Sequence, residues 1–119
     1  MSKKILIVDD EEHIREILSE FLTDQGFSVM EATDGEMAME LFSENQYDLV
    51  ITDIRMPKMN GLELLSAVKA KDKKNPVVLM TGYDLSSNEI SNCPFQADGY
   101  VLKPFNLKQL LAYVHDLVK

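Results

Sequence analysis

Four short apolar runs each end in a residue able to do chemistry. Asp9 and Asp10 follow Ile5 to Val8, and Asp53 closes Leu49 to Thr52. Thr81 and Gly82 close Val77 to Met80, and Lys103 follows Tyr100 to Leu102. Three carboxylates gathered in one place repel one another, so they share protons or hold a cation. An all-oxygen donor set with no His or Cys beside it favours Mg²⁺ over zinc, with Mn²⁺ as an alternative ion. Asp53 is then a candidate nucleophile toward a phosphoryl group. That reaction asks mainly for in-line positioning and neutralised equatorial oxygens. Lys103 brings positive charge, the Thr81 hydroxyl a hydrogen bond, and Gly82 room for the group to approach. The product, an acyl phosphate, hydrolyses readily, so the mark is temporary. The chain has no Walker-type glycine loop to hold a nucleotide. The donor must therefore bring its own binding site, as a protein or a small acyl or amido phosphate does.

Taken singly, each residue has a plainer reading. Asp9 and Asp10 could cap a helix, Asp53 the loop before Pro57, and Thr81-Gly82 could be a turn, with Lys103-Pro104 on a surface loop. All four at matching ends of four runs make coincidence the weaker account, provided the runs are parallel strands of one sheet. In open α/β sheets, ligands bind outside the carboxyl ends of the strands.

The intervening segments supply the helices such a sheet needs. Between Glu11 and Gln25, Ile14, Ile17, Leu18, Phe21 and Leu22 recur at helical spacing, and Gly26 stops the run. Phe27 to Met30 alternates as an edge strand does. Thr33 with Glu36 predicts a capping box for a helix carrying Met37, Ala38, Leu41 and Phe42 on one side. Pro57 to Gly61 reads as a loop, and Asn60 as the cap of a helix with Leu62, Leu65 and Val68 inward. Asn106 caps a last helix striped by Leu107, Leu110, Leu111, Val114 and Val118. Leu85 to Pro94 is the weak segment, expected to form a short helix. Uniformly apolar runs imply strands covered on both faces, and β/α alternation implies a doubly wound α/β fold.

Bulk composition narrows the partners. The chain has 119 residues, 45% apolar and 27% charged, with a net charge of −8. It reads as a single domain, residues 1–119. No basic face for nucleic acid or anionic membrane is visible. Lys69, Lys71, Lys73 and Lys74 read as a solvated helix end that complements the dipole. The single Cys93 excludes an intrachain disulfide and fits a reducing compartment. No apolar run approaches a membrane span, so a cytoplasmic location is expected. His13 and His115 read as solvent-facing, and Met30, Met37 and Met80 as filler on strand and helix faces.

Asp9-Asp10, Asp53 within Asp-Ile-Arg-Met-Pro-Lys-Met-Asn-Gly, Thr81-Gly82 and Tyr100-Val-Leu-Lys-Pro-Phe105 resemble the receiver domain of bacterial two-component response regulators, of the chemotaxis-regulator kind. The resemblance spans essentially the whole chain. It implies a flavodoxin-like (βα)5 three-layer sandwich with a five-stranded parallel sheet in the order 2-1-3-4-5. It further implies that Asp53 accepts phosphoryl from a sensor histidine kinase or phosphotransfer protein. Asp10, Asp53 and the backbone carbonyl of Arg55 would ligate Mg²⁺, with Asp9 acting through water. Thr81 and Lys103 would contact the phosphoryl oxygens, and the Lys103-Pro104 bond would be cis. Tyr100 would be an aromatic switch, filling the space that Thr81 vacates; its plainer reading is an edge-strand tyrosine with its hydroxyl in water. Output would pass through the face made by the fourth helix, fifth strand and fifth helix, to a downstream target or output domain or through a phosphorylation-dependent dimer. Pro94 and the polar stretch from Ser86 to Asn92 depart from the family pattern on that face. Arg55 and Tyr83 flank the site and are expected to hinder the attacking water.

Two other functions compete. A Mg²⁺-dependent phosphohydrolase with an aspartyl-phosphate intermediate would need a second acid and a cap, and no insertion is long enough to be one. A flavin-binding module would need a phosphate-cradling loop after the first strand, which is missing. Both a stand-alone regulator and a receiver excised from a longer protein fit the chain's length.

Overall fold

The apolar runs become five strands: β1 (Lys4–Val8), β2 (Ser28–Ala32), β3 (Leu49–Asp53), β4 (Val77–Thr81) and β5 (Gly99–Leu102). All neighbouring pairs are parallel, in the expected order β2-β1-β3-β4-β5. The computed structural model describes residues 3–56, 58–82, 93, 95–103 and 106–118. Four helices fall within them: α1 (Glu12–Asp24), α2 (Gly35–Glu44), α3 (Gly61–Lys71) and α4 (Leu107–Leu117). The helix expected over Leu85 to Pro94 and the Lys103-Pro104 bond lie outside the described residues. None of the described helices is long and apolar enough to cross a membrane.

The two-residue period of the strands sorts side chains into two cores. Leu6, Val8, Val50 and Leu79 pack with Ala38 of α2 and Leu64, Leu65 and Val68 of α3. Ile5, Ile7, Ile51, Met80 and Val101 pack on the other face with Leu18 and Leu22 of α1 and Leu110 and Val114 of α4. β3 and β4 are buried along their whole length, as their unbroken apolar runs require. β2 lies at the sheet edge and alternates between exposed and half-buried positions before Ala32.

Local chemistry sets the helix ends, with corrections to the sequence reading. Asn60 caps α3 and forms a full box with Glu63. Asn106 caps α4 by accepting from the Lys108 and Gln109 amides. Gly26, at φ +97°, takes the left-handed turn after α1. The expected Thr33–Glu36 box does not form: α2 begins one residue later, and the Asp34 carboxylate accepts from the Met37 amide at 2.9 Å. That bond holds the Asp34 carboxyl below its ordinary range. Ile17 and Met37, placed on apolar stripes by their spacing, sit at the stripe margins and are exposed. In α3 Leu64 is buried deeper than Leu62, because the inward face turns slightly from the one expected.

Lys69 overturns the solvated reading of its lysine run. Its side chain is 7% exposed, and Nζ donates to Asn75 O at 2.8 Å, to Lys73 O at 3.3 Å and to Asp98 Oδ2 at 2.7 Å. The same Asp98 oxygen accepts from the Val77 amide. One buried amine thus ties the end of α3 to the starts of β4 and β5. Its aliphatic stem had been hidden by its charged neighbours in the sequence.

Candidate functional site

The chain leaves β1 toward β2 on one side of the sheet, whereas β3 lies on the other side of β1. The crevice at the carboxyl ends of β1 and β3 is the topological switch point of the fold. Val8 pairs with Thr52, so the residues that follow them, Asp9 and Asp53, emerge side by side. Thr81 pairs with Leu102 at the end of β5, which brings Lys103 over the same edge. Carboxylate oxygens of Asp9, Asp10 and Asp53 all lie within 4.8 Å of one another. The four apolar runs therefore converge as expected.

Each group has a distinct environment. Asp9 is fully buried: its amide donates to Ala32 O at 3.2 Å and its Oδ1 accepts from the Glu11 amide at 2.9 Å. Lys103 Nζ lies between two acids, 3.0 Å from Asp9 Oδ2 and 3.1 Å from Asp53 Oδ2. Asp53 Oδ1 accepts from the Ile54 amide at 2.8 Å. Asp10 is the exposed member of the cluster. Burial pushes the Asp53 carboxyl above its ordinary range, and the nearby Lys103 charge only partly offsets this. Burial disfavours the Lys103 ammonium too, but hydrogen bonding to Asp9 and the charges of both acids outweigh it and hold its pKa up.

Thr81 is fully buried at the end of β4, and its carbonyl accepts from the Lys103 amide at 2.8 Å. Tyr100 is half-buried and packs against the core on the α3 side. By strand alternation Thr81 and Tyr100 belong to the same sheet face. Arg55 is exposed in the loop after Ile54. His13 and His115 are exposed, and neither belongs to the three-carboxylate cluster. Tyr83 lies outside the described residues.

A Cβ on Gly82 would meet nothing within 4 Å among the described residues. Gly61 carries a steric demand: a Cβ would run into the Asp53 carbonyl and the Ile54 backbone. Its amide donates to Ile54 O at 2.9 Å, folding the loop back beneath Asp53. A glycine directly after a cap residue was the available signal. The loop also holds Lys58 at φ 66°.

The sequence profile for the response regulator receiver domain matches residues 5–115. The chain belongs to that family. Among curated relatives, the transcriptional regulatory protein SrrA of Staphylococcus aureus is 33% identical over all 119 residues, which make up 49% of SrrA. The receiver domain thus spans about half the length of such relatives. Among solved structures, Thermotoga maritima response regulator TrrA, in complex with Mg²⁺-BeF, is 40% identical with a TM-score of 0.88, covering 97% of this chain and 98% of that one. Vibrio cholerae chemotaxis protein CheY4 is 31% identical with a TM-score of 0.90, covering 98% and 99%.

The receiver's donor set fits a hard divalent cation. All three carboxylates offer oxygen, and the Lys103 amine faces two of them, Asp9 and Asp53. Asp10 is open to solvent, whereas both carboxylate oxygens of Asp9 are already engaged by protein donors. That division suits an ion that keeps several of its waters.

Proposed function

We propose that this receiver, residues 1–119 as one module, accepts a phosphoryl group onto Asp53 from the phosphohistidine of a sensor kinase or phosphotransfer protein. The observation that carries the reading is Lys103 Nζ seated between Asp9 and Asp53 within the three-carboxylate cluster. Asp10, Asp53 and the Arg55 carbonyl are the metal ligands in this reading, with Asp9 reaching the ion through water. Bound Mg²⁺, or Mn²⁺ in its place, supplies positive charge to the phosphoryl oxygens.

A carboxylate oxygen of Asp53 forms the new bond to phosphorus while the P–N bond to the donor imidazole breaks. The leaving nitrogen retains the electron pair of that bond. Lys103 stabilises the charge that accumulates on the phosphoryl oxygens, and the Thr81 hydroxyl donates to one of them. Thr81 moving toward the phosphoryl group opens space on its sheet face, and the half-buried Tyr100 ring fills it. Partner affinity changes with that surface. The exposed Arg55, together with Tyr83, hinders water from reaching the acyl phosphate. The downstream partner is a target protein, an output domain or a second receiver, in the cytoplasm.

Incubation with acetyl phosphate and Mg²⁺ tests the reading. One label per chain is expected on Asp53, lost in Asp53→Asn and in the presence of EDTA. Sustained turnover of varied phosphomonoesters would replace it with a phosphohydrolase.

A further inference from the structure

The acids of the site need a rigid platform, because Asp10 is exposed and its carboxylate accepts no hydrogen bond among the described residues. Its position is inherited from the backbone of Asp9. Arg15, in the first half of α1, reaches back to that backbone: Nη1 donates to the Asp9 carbonyl at 2.7 Å. Its Nε pairs with Glu31 Oε1 of β2 at 3.3 Å. Glu31 is followed by Ala32, whose carbonyl accepts from the Asp9 amide. The bonds close a ring from Asp9 through Arg15 and Glu31 to Ala32 and back. Only 12% of the Arg15 side chain is exposed, so water is a poor substitute partner.

We infer that Arg15 is a positioning residue for the Mg²⁺ site, holding the Asp9-Asp10 turn in its ligating geometry while Glu31 holds the guanidinium. The inference rests on the metal reading proposed above. A planar fork can serve the carbonyl and the carboxylate at once, which a lysine ammonium cannot do in the same geometry. Arg15 is also a cation that touches the Asp9 backbone, so its charge by itself weakens cation binding nearby. Positioning and charge therefore predict opposite outcomes when it is removed.

Mg²⁺ affinity is measured by calorimetry at fixed ionic strength on wild type, Arg15→Met and Arg15→Lys, with thermal midpoints recorded without metal. Loss of an outer-shell partner weakens metal binding about tenfold in comparable sites, and that loss is expected for Arg15→Met despite the removal of a positive charge. Arg15→Lys, which keeps the charge but cannot serve both partners in the same geometry, is expected to bind Mg²⁺ more weakly than wild type. Unchanged or tighter binding in Arg15→Met overturns the inference, as does a lowered midpoint with no change in affinity. Should Arg15→Met not fold, Arg15→Lys decides: weaker binding supports positioning and equal binding refutes it. Absence of Mg²⁺ uptake by the wild type itself would bring down the metal reading, and this inference with it.

Discussion

Asp53→Asn removes one charge from a crowded corner while keeping the side chain's size. Asp53 is 7% exposed. At an effective dielectric of about 20, Lys103 at 3.1 Å attracts its charge by about 5 kcal/mol. Asp9, within 4.8 Å, repels it by at least about 3.5 kcal/mol on the same scale. The remaining attraction, at most about 1.5 kcal/mol, is less than the several kcal/mol it costs to bury a carboxylate. Burial therefore wins, in keeping with the raised Asp53 pKa. Without Mg²⁺ at neutral pH, Asp53→Asn should be more stable than wild type by about 2 kcal/mol, or several degrees in thermal midpoint. Because the folded state holds this proton more tightly than the unfolded chain, the penalty is absent below the ordinary carboxylate range. It grows as pH rises through the raised folded pKa. The advantage of Asn should thus vanish toward pH ~4 and grow as pH rises above the ordinary carboxylate range. Denaturant melts across that range provide the assay. Adding Mg²⁺ at ten times its dissociation constant should stabilise wild type by about 1.4 kcal/mol and leave Asp53→Asn nearly unmoved. An Asn variant no more stable than wild type at neutral pH, or one whose gain is constant with pH, would refute the reasoning.

Lys103→Met should cost about 2–3 kcal/mol by leaving two acids without their shared cation, and should slow labelling by acetyl phosphate about 10²-fold. The stability Lys103 contributes is present below the ordinary lysine range and lost as pH rises through its raised folded pKa, so equilibrium unfolding should show the two proteins converging in strong alkali. Lys69→Ala should destabilise by about 1–3 kcal/mol in denaturant melts, because the Asn75 and Lys73 carbonyls lose their donor and Asp98 keeps only the Val77 amide, while Mg²⁺ affinity stays unchanged. Gly61→Ala should cost about 1–3 kcal/mol through collision with the backbone at Asp53 and, by shifting that backbone, reduce labelling of Asp53.

The alternation of apolar runs and helical stripes was enough to place every described strand, because parallel strands covered on both faces carry an unbroken apolar signature. The same runs pointed to the site, since a polar residue directly after a buried strand emerges at the sheet edge. Asn60 and Asn106 were legible as caps because capping is a local hydrogen bond between near neighbours in sequence. What escaped was whatever depended on contacts distant along the chain. Lys69 is buried because Asp98, 29 residues on, completes its shell, and no local pattern separates it from its solvated neighbours. Arg15 matters through Asp9 and Glu31, which meet only once β1 and β2 are paired. Gly61 is demanded by the backbone of Asp53, against which the loop folds. Periodicity along the chain tells which face is inward and which residues end a strand. It carries no information on which groups share a proton, a cation or a van der Waals boundary, and those were decided by the tertiary packing alone.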